Sequence, residues 1–100
     1  MMLKLGVLAL LTAKPGKEAE VAALLDIARG IAAEEDQTLV WYAFQVDNST
    51  FGIFDAFADD AGRQAHLNGR IPALFAEVGP DLLAVDPDIR LIDILAVDLG

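Results

Sequence analysis

A run of aliphatic residues close to the amino terminus limits what this chain can become. Residues 5–11, LGVLALL, are apolar, and the sequence KPG after them indicates a sharp turn. The run matches both the core of a secretory signal peptide and a buried β-strand. It is short for a signal peptide and far below the roughly 20 residues that cross a bilayer. A cleavage site after Ala13 would also place Leu11 where a small residue is needed. We therefore interpret the run as a β-strand.

The hydrophobic period changes along the rest of the chain and predicts the remaining elements. Apolar residues within 16–35 recur every three or four positions, which is typical of an amphipathic helix. Residues 38–58 predict two strands joined by a hairpin at DNST. Residues 59–78 contain two short helical patterns separated by NGRIP, and residues 88–99 predict a last strand. The order βαββαβ indicates an α+β, ferredoxin-like fold, with helices on one face of an antiparallel four-stranded sheet and one domain over residues 1–100.

The first and last strands are apolar on both faces. Leu8 and Leu10 alternate with Val7 and Ala9, and the last strand shows the same two-sided pattern. Helices on one side of a four-stranded sheet cover only one face, so the other face stays exposed unless a second molecule covers it. We therefore predict a homodimer whose sheets meet face to face.

Composition excludes several classes of function. Sixteen acidic residues against seven scattered basic ones give a formal charge of −9, so we expect no binding to nucleic acid or to anionic membranes. The chain has no cysteine and a single histidine, which argues against thiolate chemistry and against zinc or iron sites built from clustered ligands. There is no glycine-rich phosphate loop. Because the lack of cysteine suits a reducing compartment, we expect a cytoplasmic location.

Two segments carry a family resemblance. FGIFDAFADDAGRQAHLNG, together with AKPGKEAE before the first helix, resembles the antibiotic biosynthesis monooxygenase domains of the dimeric α/β-barrel superfamily. The resemblance covers essentially the whole chain. In that family the third strand typically carries a glutamate and, two residues later, a tryptophan, and the next helix carries a histidine. Asp55, Phe57 and His66 stand at these positions here, so the spacing is kept while two of the three residue types differ.

The resemblance implies a monooxygenase that uses dioxygen without metal, flavin or other cofactor and acts on a hydrophobic aromatic or quinol-type compound. Such a reaction needs a base and a dry apolar pocket, because a deprotonated phenol can itself reduce oxygen. His66 would be the catalytic base or anchor, and Asp55 would orient it. Two alternatives stay open. One is a non-catalytic dimer that binds a small ligand or assists a biosynthetic enzyme, and the other is a haem protein ligated by His66.

The register of the hairpin decides which side chains accompany Asp55. A two-residue turn within DNST would place Tyr42 opposite Asp55 and would put Phe44 and Phe57 on the same sheet face, beneath the helices. We therefore predict that Tyr42, Phe44 and Phe57 bind the substrate. Trp41 would then lie on the opposite face, at the dimer interface.

Each candidate also has a purely structural interpretation. The three aromatic side chains can simply belong to the hydrophobic core. A lone histidine on a short helix is often a surface residue or a satisfied core residue. A carboxylate in an apolar strand needs a partner, so Asp55 and His66 can form a structural hydrogen bond that has no catalytic role.

Overall fold

Strands and helices follow one another in the order that the hydrophobic pattern predicts. The computed structural model describes residues 2–100, and within them the elements are β1 Leu5–Thr12, α1 Glu18–Ala32, β2 Val40–Gln45, β3 Thr50–Phe57, α2 Asp60–Leu67, α3 Arg70–Leu82 and β4 Asp88–Asp93. The strands form one sheet in the order β2-β3-β1-β4, and each neighbouring pair is antiparallel. The predicted ferredoxin-like α+β fold is confirmed, with the second helical part divided into α2 and α3.

The turn between β1 and α1 and the apolar stripe of α1 explain how this helix meets the sheet. Gly16 has a φ of 84°, a left-handed conformation that glycine adopts without strain. The helix begins two residues later, with acidic residues in its first turn and Arg29 in its last, which suits the helix dipole. Its buried side chains recur at helical spacing and are Val21, Leu24, Leu25, Ala28 and Ala32. The amphipathic helix predicted for this segment is confirmed.

Local capping sets where α2 and α3 begin. The Asp59 side chain accepts a hydrogen bond from the Gly62 backbone N–H at 2.9 Å, as an N-cap residue does. Gly69, in an extended conformation, precedes α3, and Pro72 lies in the first turn of α3, where proline is well tolerated. These two helix starts place the last turn of α2, which carries His66, over the sheet.

The strands divide the side chains between two faces. Odd-numbered strand residues point toward the helices, and we call that side the helix face; its buried side chains are Val7, Ala9, Leu11, Phe51, Ile53, Asp55 and Phe57. Even-numbered strand residues form the opposite side, which we call the open face; its larger side chains are Leu8, Leu10, Tyr42, Phe44, Phe54, Asp88, Arg90 and Ile92. The hydrophobic core lies between the helix face and helices α1 and α3.

The hairpin register differs from the prediction by one residue. Gln45 pairs with Phe51, so Trp41 lies opposite Asp55. The reason is the side chain of Asp47, whose Oδ1 accepts hydrogen bonds from the backbone N–H groups of the two residues that end the turn, at 3.0 and 2.9 Å. This closes a loop over residues 46–49 instead of a two-residue turn. A one-residue shift moves every side chain of a strand to the other face of the sheet.

Three sequence predictions are therefore wrong. Tyr42 and Phe44 lie on the open face and do not share a pocket with Asp55. Tyr42 is 52% exposed, and its ring packs against Phe54, with centroids 5.4 Å apart. Trp41 lies on the helix face and packs against the core, not on the opposite face.

The last strand is shorter than the sequence predicts. β4 pairs with β1 from Leu10↔Asp88 to Leu5↔Asp93, where β1 itself begins. One further backbone hydrogen bond joins Ile94 N–H to Lys4 O at 2.8 Å. Residues 95–100 have no neighbouring strand and no regular structure. Separately, no helix in residues 2–100 combines the length and the apolar composition that crossing a membrane requires.

Candidate functional site

A cavity lies between the helix face and helices α2 and α3. Its volume is about 560 Å³, and most of its lining side chains are apolar, among them Val7, Leu11, Ile53, Ile71 and Phe75. Residues 84–87, the loop before β4, complete the lining. Asp55 and His66, the buried polar residues of the described chain, both line this cavity. An apolar pocket with a few convergent polar groups is the usual form of a small-molecule site.

The two buried polar residues belong to a cluster of three side chains. His66 Nε2 lies 2.9 Å from Asp55 Oδ2, and His66 Nδ1 lies 2.7 Å from Glu35 Oε1. Thr38 Oγ1 donates to the same Glu35 oxygen at 2.7 Å and so holds that carboxylate in place. We call Asp55, His66 and Glu35 the Asp-His-Glu cluster. In it, one imidazole is held between two carboxylates.

Different elements supply the three members of the cluster. Asp55 lies within β3, between β1 and β2, and is 1% exposed. His66 lies in the last turn of α2, where a positive charge is favoured by the helix dipole, and Phe57 packs against its ring at 5.4 Å between centroids. Glu35 follows the end of α1. The cluster therefore joins the sheet to two helical segments that are distant in sequence.

The surroundings of the cluster raise the pKa values of Asp55 and His66. Burial raises the pKa of Asp55 above its ordinary value of 3.8, and the Glu35 charge acts in the same direction, while the hydrogen bond from His66 partly offsets both. Burial by itself lowers the pKa of His66. The hydrogen bonds and charges of the two carboxylates outweigh burial, so this pKa lies above its ordinary value of 6.5. Both shifts follow from one arrangement, in which a buried imidazole contacts two acidic side chains.

One buried oxygen of the cluster has no hydrogen-bond partner within the described residues. Asp55 Oδ1 is buried and unpaired, whereas Oδ2 of the same carboxylate contacts His66. Leaving a buried carboxylate oxygen unpaired costs free energy unless a ligand or a water molecule donates to it. Asp55 Oδ1 is therefore the buried acceptor of this cluster that no protein group occupies.

The structure brings together only some of the residues singled out in the sequence. Asp55, His66 and Phe57 converge, although Phe57 packs behind the imidazole and is not part of the cavity lining. Tyr42 and Phe44 lie on the other side of the sheet. Sequence reasoning missed Glu35, because an acidic residue after a helix usually faces solvent. Only folding brings Glu35 within hydrogen-bond distance of His66.

The site does not suit haem. Iron ligation needs a free lone pair on an imidazole nitrogen, and both nitrogens of His66 already contact carboxylates. The cavity lining in the described chain also contains no lysine or arginine that would pair with haem propionates. Within residues 2–100, no group of three or more histidine, cysteine or acidic side chains is arranged to hold a metal ion.

Comparisons with known proteins place the chain in a family. Neither the protein-family models nor the curated proteins give a match. Among solved structures, the chain is similar to NE2512 from Nitrosomonas europaea, a protein of unknown function, with 46% identity, a TM-score of 0.95 and coverage of 99% of this chain and 96% of that one. A proposed antibiotic biosynthesis monooxygenase from Caulobacter crescentus is 26% identical, with a TM-score of 0.77 over 94% of this chain and 92% of that one.

A further solved structure, named as an antibiotic biosynthesis monooxygenase, shares 19% identity and has a TM-score of 0.78 over 92% of this chain and 99% of that one, so it supports the fold alone. The resemblance first noted in the segments around Asp55 and His66 thus agrees with similarity over nearly the full length of the chain. The chain belongs to the same family as NE2512, and it shares the fold of solved structures named as antibiotic biosynthesis monooxygenases.

Proposed function

We propose that this protein is a cofactor-independent monooxygenase that acts on a hydrophobic aromatic or quinol-type small molecule. The observation that carries the proposal is the buried Asp-His-Glu cluster in the wall of an apolar cavity. Similarity to a solved structure that bears the name of a proposed monooxygenase, at 26% identity, adds support. A perturbed carboxylate and imidazole in a pocket are a common sign of proton-transfer chemistry.

The proposed reaction begins with removal of a hydroxyl proton from the bound substrate. The apolar walls exclude water, so the resulting anion is poorly solvated and electron-rich. Dioxygen takes four electrons in a monooxygenation. When no other reductant takes part, all four come from the substrate: a phenol loses its O–H hydrogen and the hydrogen of one ring C–H bond, that ring carbon forms a C=O bond to one oxygen atom of dioxygen, and the other oxygen atom leaves as water with the two hydrogens. The protein supplies the proton acceptor and the dry cavity.

Oxygen consumption tests this proposal. Purified protein is mixed with a panel of hydroquinones and polycyclic phenols, and uptake is compared between wild type, His66→Ala and Gln64→Ala. Gln64 is an exposed residue of the same helix and serves as the control. We expect uptake with at least one compound, loss of uptake in His66→Ala and no change in Gln64→Ala. Absence of uptake with every compound contradicts the monooxygenase proposal.

A non-catalytic protein that binds a small apolar ligand is the second candidate. The side chain of Phe57 favours it, because the family typically has a tryptophan at this position, whereas Phe57 has no N–H group and is fully buried behind His66. Binding of the panel compounds without oxygen uptake would support this candidate. Equilibrium dialysis of the same compounds separates the two functions.

We also propose that the open face joins two copies of this chain into a homodimer. The described strands place aromatic and aliphatic side chains on this face, with Asp88 and Arg90 as its charged residues, paired at 2.9 Å. The open face therefore has no net charge, while the chain carries −9. A second acidic copy would be repelled elsewhere, but it can approach through this surface.

Sedimentation equilibrium tests the homodimer. We expect the mass of two chains for wild type and the mass of one chain for Tyr42→Glu, which places a charge on the open face. Ile27→Glu is the matched control, because Ile27 is 59% exposed on α1, away from the open face, and receives the same charge. A monomeric wild type, or a Tyr42→Glu variant that remains dimeric, contradicts the proposal.

A further inference from the structure

The three members of the Asp-His-Glu cluster differ in their access to a bound molecule. Both imidazole nitrogens of His66 are occupied by carboxylates. Glu35 contacts the far side of the imidazole and is not part of the cavity lining. Asp55 lines the cavity and has an oxygen, Oδ1, without a partner. A substrate hydroxyl that reaches the cluster therefore finds its open acceptor on Asp55 and not on His66.

We propose that Asp55, through Oδ1, is the catalytic residue that accepts the hydroxyl proton of a neutral phenol-type substrate, and that His66 and Glu35 are positioning residues. The proposal rests on the proposed function and names the substrate chemistry and the residue roles within it. It reverses the roles that the family resemblance implies, in which the histidine is the base. The reversal follows from the second carboxylate, which the sequence did not reveal.

The proton transfer balances in charge. The O–H bond of the phenol breaks, and an O–H bond forms at Asp55 Oδ1. The step starts from the form in which both carboxylates are ionised and His66 is protonated, and His66 keeps its two N–H groups, one toward Asp55 Oδ2 and one toward Glu35 Oε1. The cluster goes from one net negative charge to neutral, and the ligand goes from neutral to one negative charge. Because burial raises the pKa of Asp55, its carboxylate is a stronger base than an exposed aspartate.

The charges of the side chains that line the cavity also favour a neutral ligand with a hydroxyl group. Its lining, within the described residues, includes Asp55 and Asp86 and no lysine or arginine. A carboxylate or phosphate group would therefore meet two acidic side chains and no lysine or arginine, while both nitrogens of His66 are already engaged by Asp55 and Glu35. A neutral aromatic ring with a hydroxyl group meets apolar walls and one buried acceptor. The cavity thus favours neutral hydroxyl donors over anionic aromatic compounds.

The experiment compares the binding of two probes that differ in one hydrogen-bond donor. 2-Naphthol can donate its hydroxyl proton, whereas 2-methoxynaphthalene has a similar shape and cannot. We expect wild type to bind 2-naphthol at least about tenfold more tightly, as a hydrogen bond to a charged acceptor commonly provides. The absorbance of bound 2-naphthol at longer wavelength, where naphtholate absorbs, reports proton transfer directly.

Two variants test whether Asp55 is the group that accepts the hydroxyl proton. Asp55→Asn keeps the shape of the side chain but removes the base, so we expect the two probes to bind equally. Trp41→Phe is the control, because Trp41 lies opposite Asp55 and its Nε1 is also buried without a partner. We expect this variant to keep the preference. Thermal unfolding of each variant confirms that it folds.

Glu35→Gln tests the positioning role, because glutamine keeps a hydrogen-bond acceptor and loses the charge. We expect a smaller preference for 2-naphthol, with unchanged binding of 2-methoxynaphthalene. A merely structural role would weaken both probes equally and leave their ratio unchanged. His66 is the sole histidine of the chain, so its imidazole NMR signals need no assignment, and we expect its pKa to fall in Glu35→Gln.

Three results would overturn the proposal: no binding of either probe, equal binding of both by wild type, or a preference that survives in Asp55→Asn. A different result would contradict the proposed monooxygenase function without contradicting the role of Asp55. If wild type shows the Asp55-dependent preference but consumes no oxygen with any compound, the proton-accepting role of Asp55 stands and the monooxygenase function is excluded.

Discussion

The two faces of the sheet are built from the same strands, but one face buries a polar site and the other carries its charged side chains at the surface. On β3, Phe51, Ile53 and Asp55 point into the core and the cavity, while Phe54 between them lies on the open face. On the helix face, Asp55 is buried in contact with His66. The open face holds its charged pair at the surface, where such pairs contribute little to stability. Alternation along a strand thus lets one sheet carry a chemical site on one side and a surface for association on the other.

The largest expected effect comes from removing a phenylalanine from each face of β3. Phe51 is 2% exposed, and we expect Phe51→Ala to lower the free energy of unfolding by about 3–5 kcal/mol, as other buried phenylalanines do. Phe54→Ala should lower the free energy of unfolding by a smaller amount at low protein concentration. If the open face forms a dimer, the cost should rise with concentration. Urea unfolding at several concentrations measures both, and equal, concentration-independent losses would contradict the distinction between the faces.

Substituting alanine for each of two glycines on the open face should lower stability by different amounts. A Cβ at Gly6 would lie 2.9 Å from the backbone oxygen of Asp55, which cannot move aside, and 3.1 Å from Ile92 Cγ1. A Cβ at Gly52 would overlap the ring of Phe44, which can rotate away. We expect Gly6→Ala to cost about 1–3 kcal/mol in the free energy of unfolding, within the range for overpacking, and Gly52→Ala to cost less. The opposite order would show that the Phe44 ring is held rigidly on the open face.

The cluster on the helix face should make stability depend on pH. Because the pKa of His66 is raised, its stabilising contribution is complete below 6.5 and is lost as pH rises through the raised pKa. The raised pKa of Asp55 acts in the same direction, since ionising this buried carboxylate opposes folding as pH increases above 3.8. Unfolding measured from pH 5 to pH 9 should therefore show declining stability in wild type.

Glu35→Gln should reduce this decline. We expect a loss of about 1 kcal/mol below pH 6.5, the difference between charged and neutral hydrogen bonds, and a flatter pH profile. Glu34→Gln is the matched control, because the neighbouring Glu34 pairs with Arg70 at 3.0 Å and both side chains are exposed. Its effect should be within about 0.5 kcal/mol. Equal effects of the two substitutions would show that the Glu35 charge does not act on His66.

The smallest expected effect concerns the turn that assigns side chains to the two faces. Hydrogen bonds from the Ser49 backbone, and then from Thr50, lower the pKa of Asp47, so its stabilising contribution exists above 3.8 and is lost as pH falls through the lowered pKa. Asp47→Ala should remove this loss on acidification, while Asn48→Ala should keep it. NMR contacts between Trp41 and Asp55 would show whether the register survives in Asp47→Ala. An unchanged acid profile would contradict the role of the Asp47 side chain.

The site was predictable only in part. The spacing of Asp55 and His66 followed from the resemblance to the family, and the structure places them 2.9 Å apart. The aromatic residues of β2 were assigned to the wrong face, because pairing depends on the number of residues in the turn, and a side-chain hydrogen bond from Asp47 changed that number. Glu35 carried no local signal, since its partner lies 31 residues away.

Hydrophobic period, turn residues and helix caps by themselves determined the order of elements, the strand β1, the helix α1 and the ferredoxin-like sheet, because these signals act over a few neighbouring residues. Tertiary structure alone decided the hairpin register, the cavity and the Asp-His-Glu cluster. Each of these depends on contacts between side chains far apart in the chain. The identity of Asp55 and His66 could be read from the sequence, but which of their atoms stays free for a substrate is decided by what packs around them.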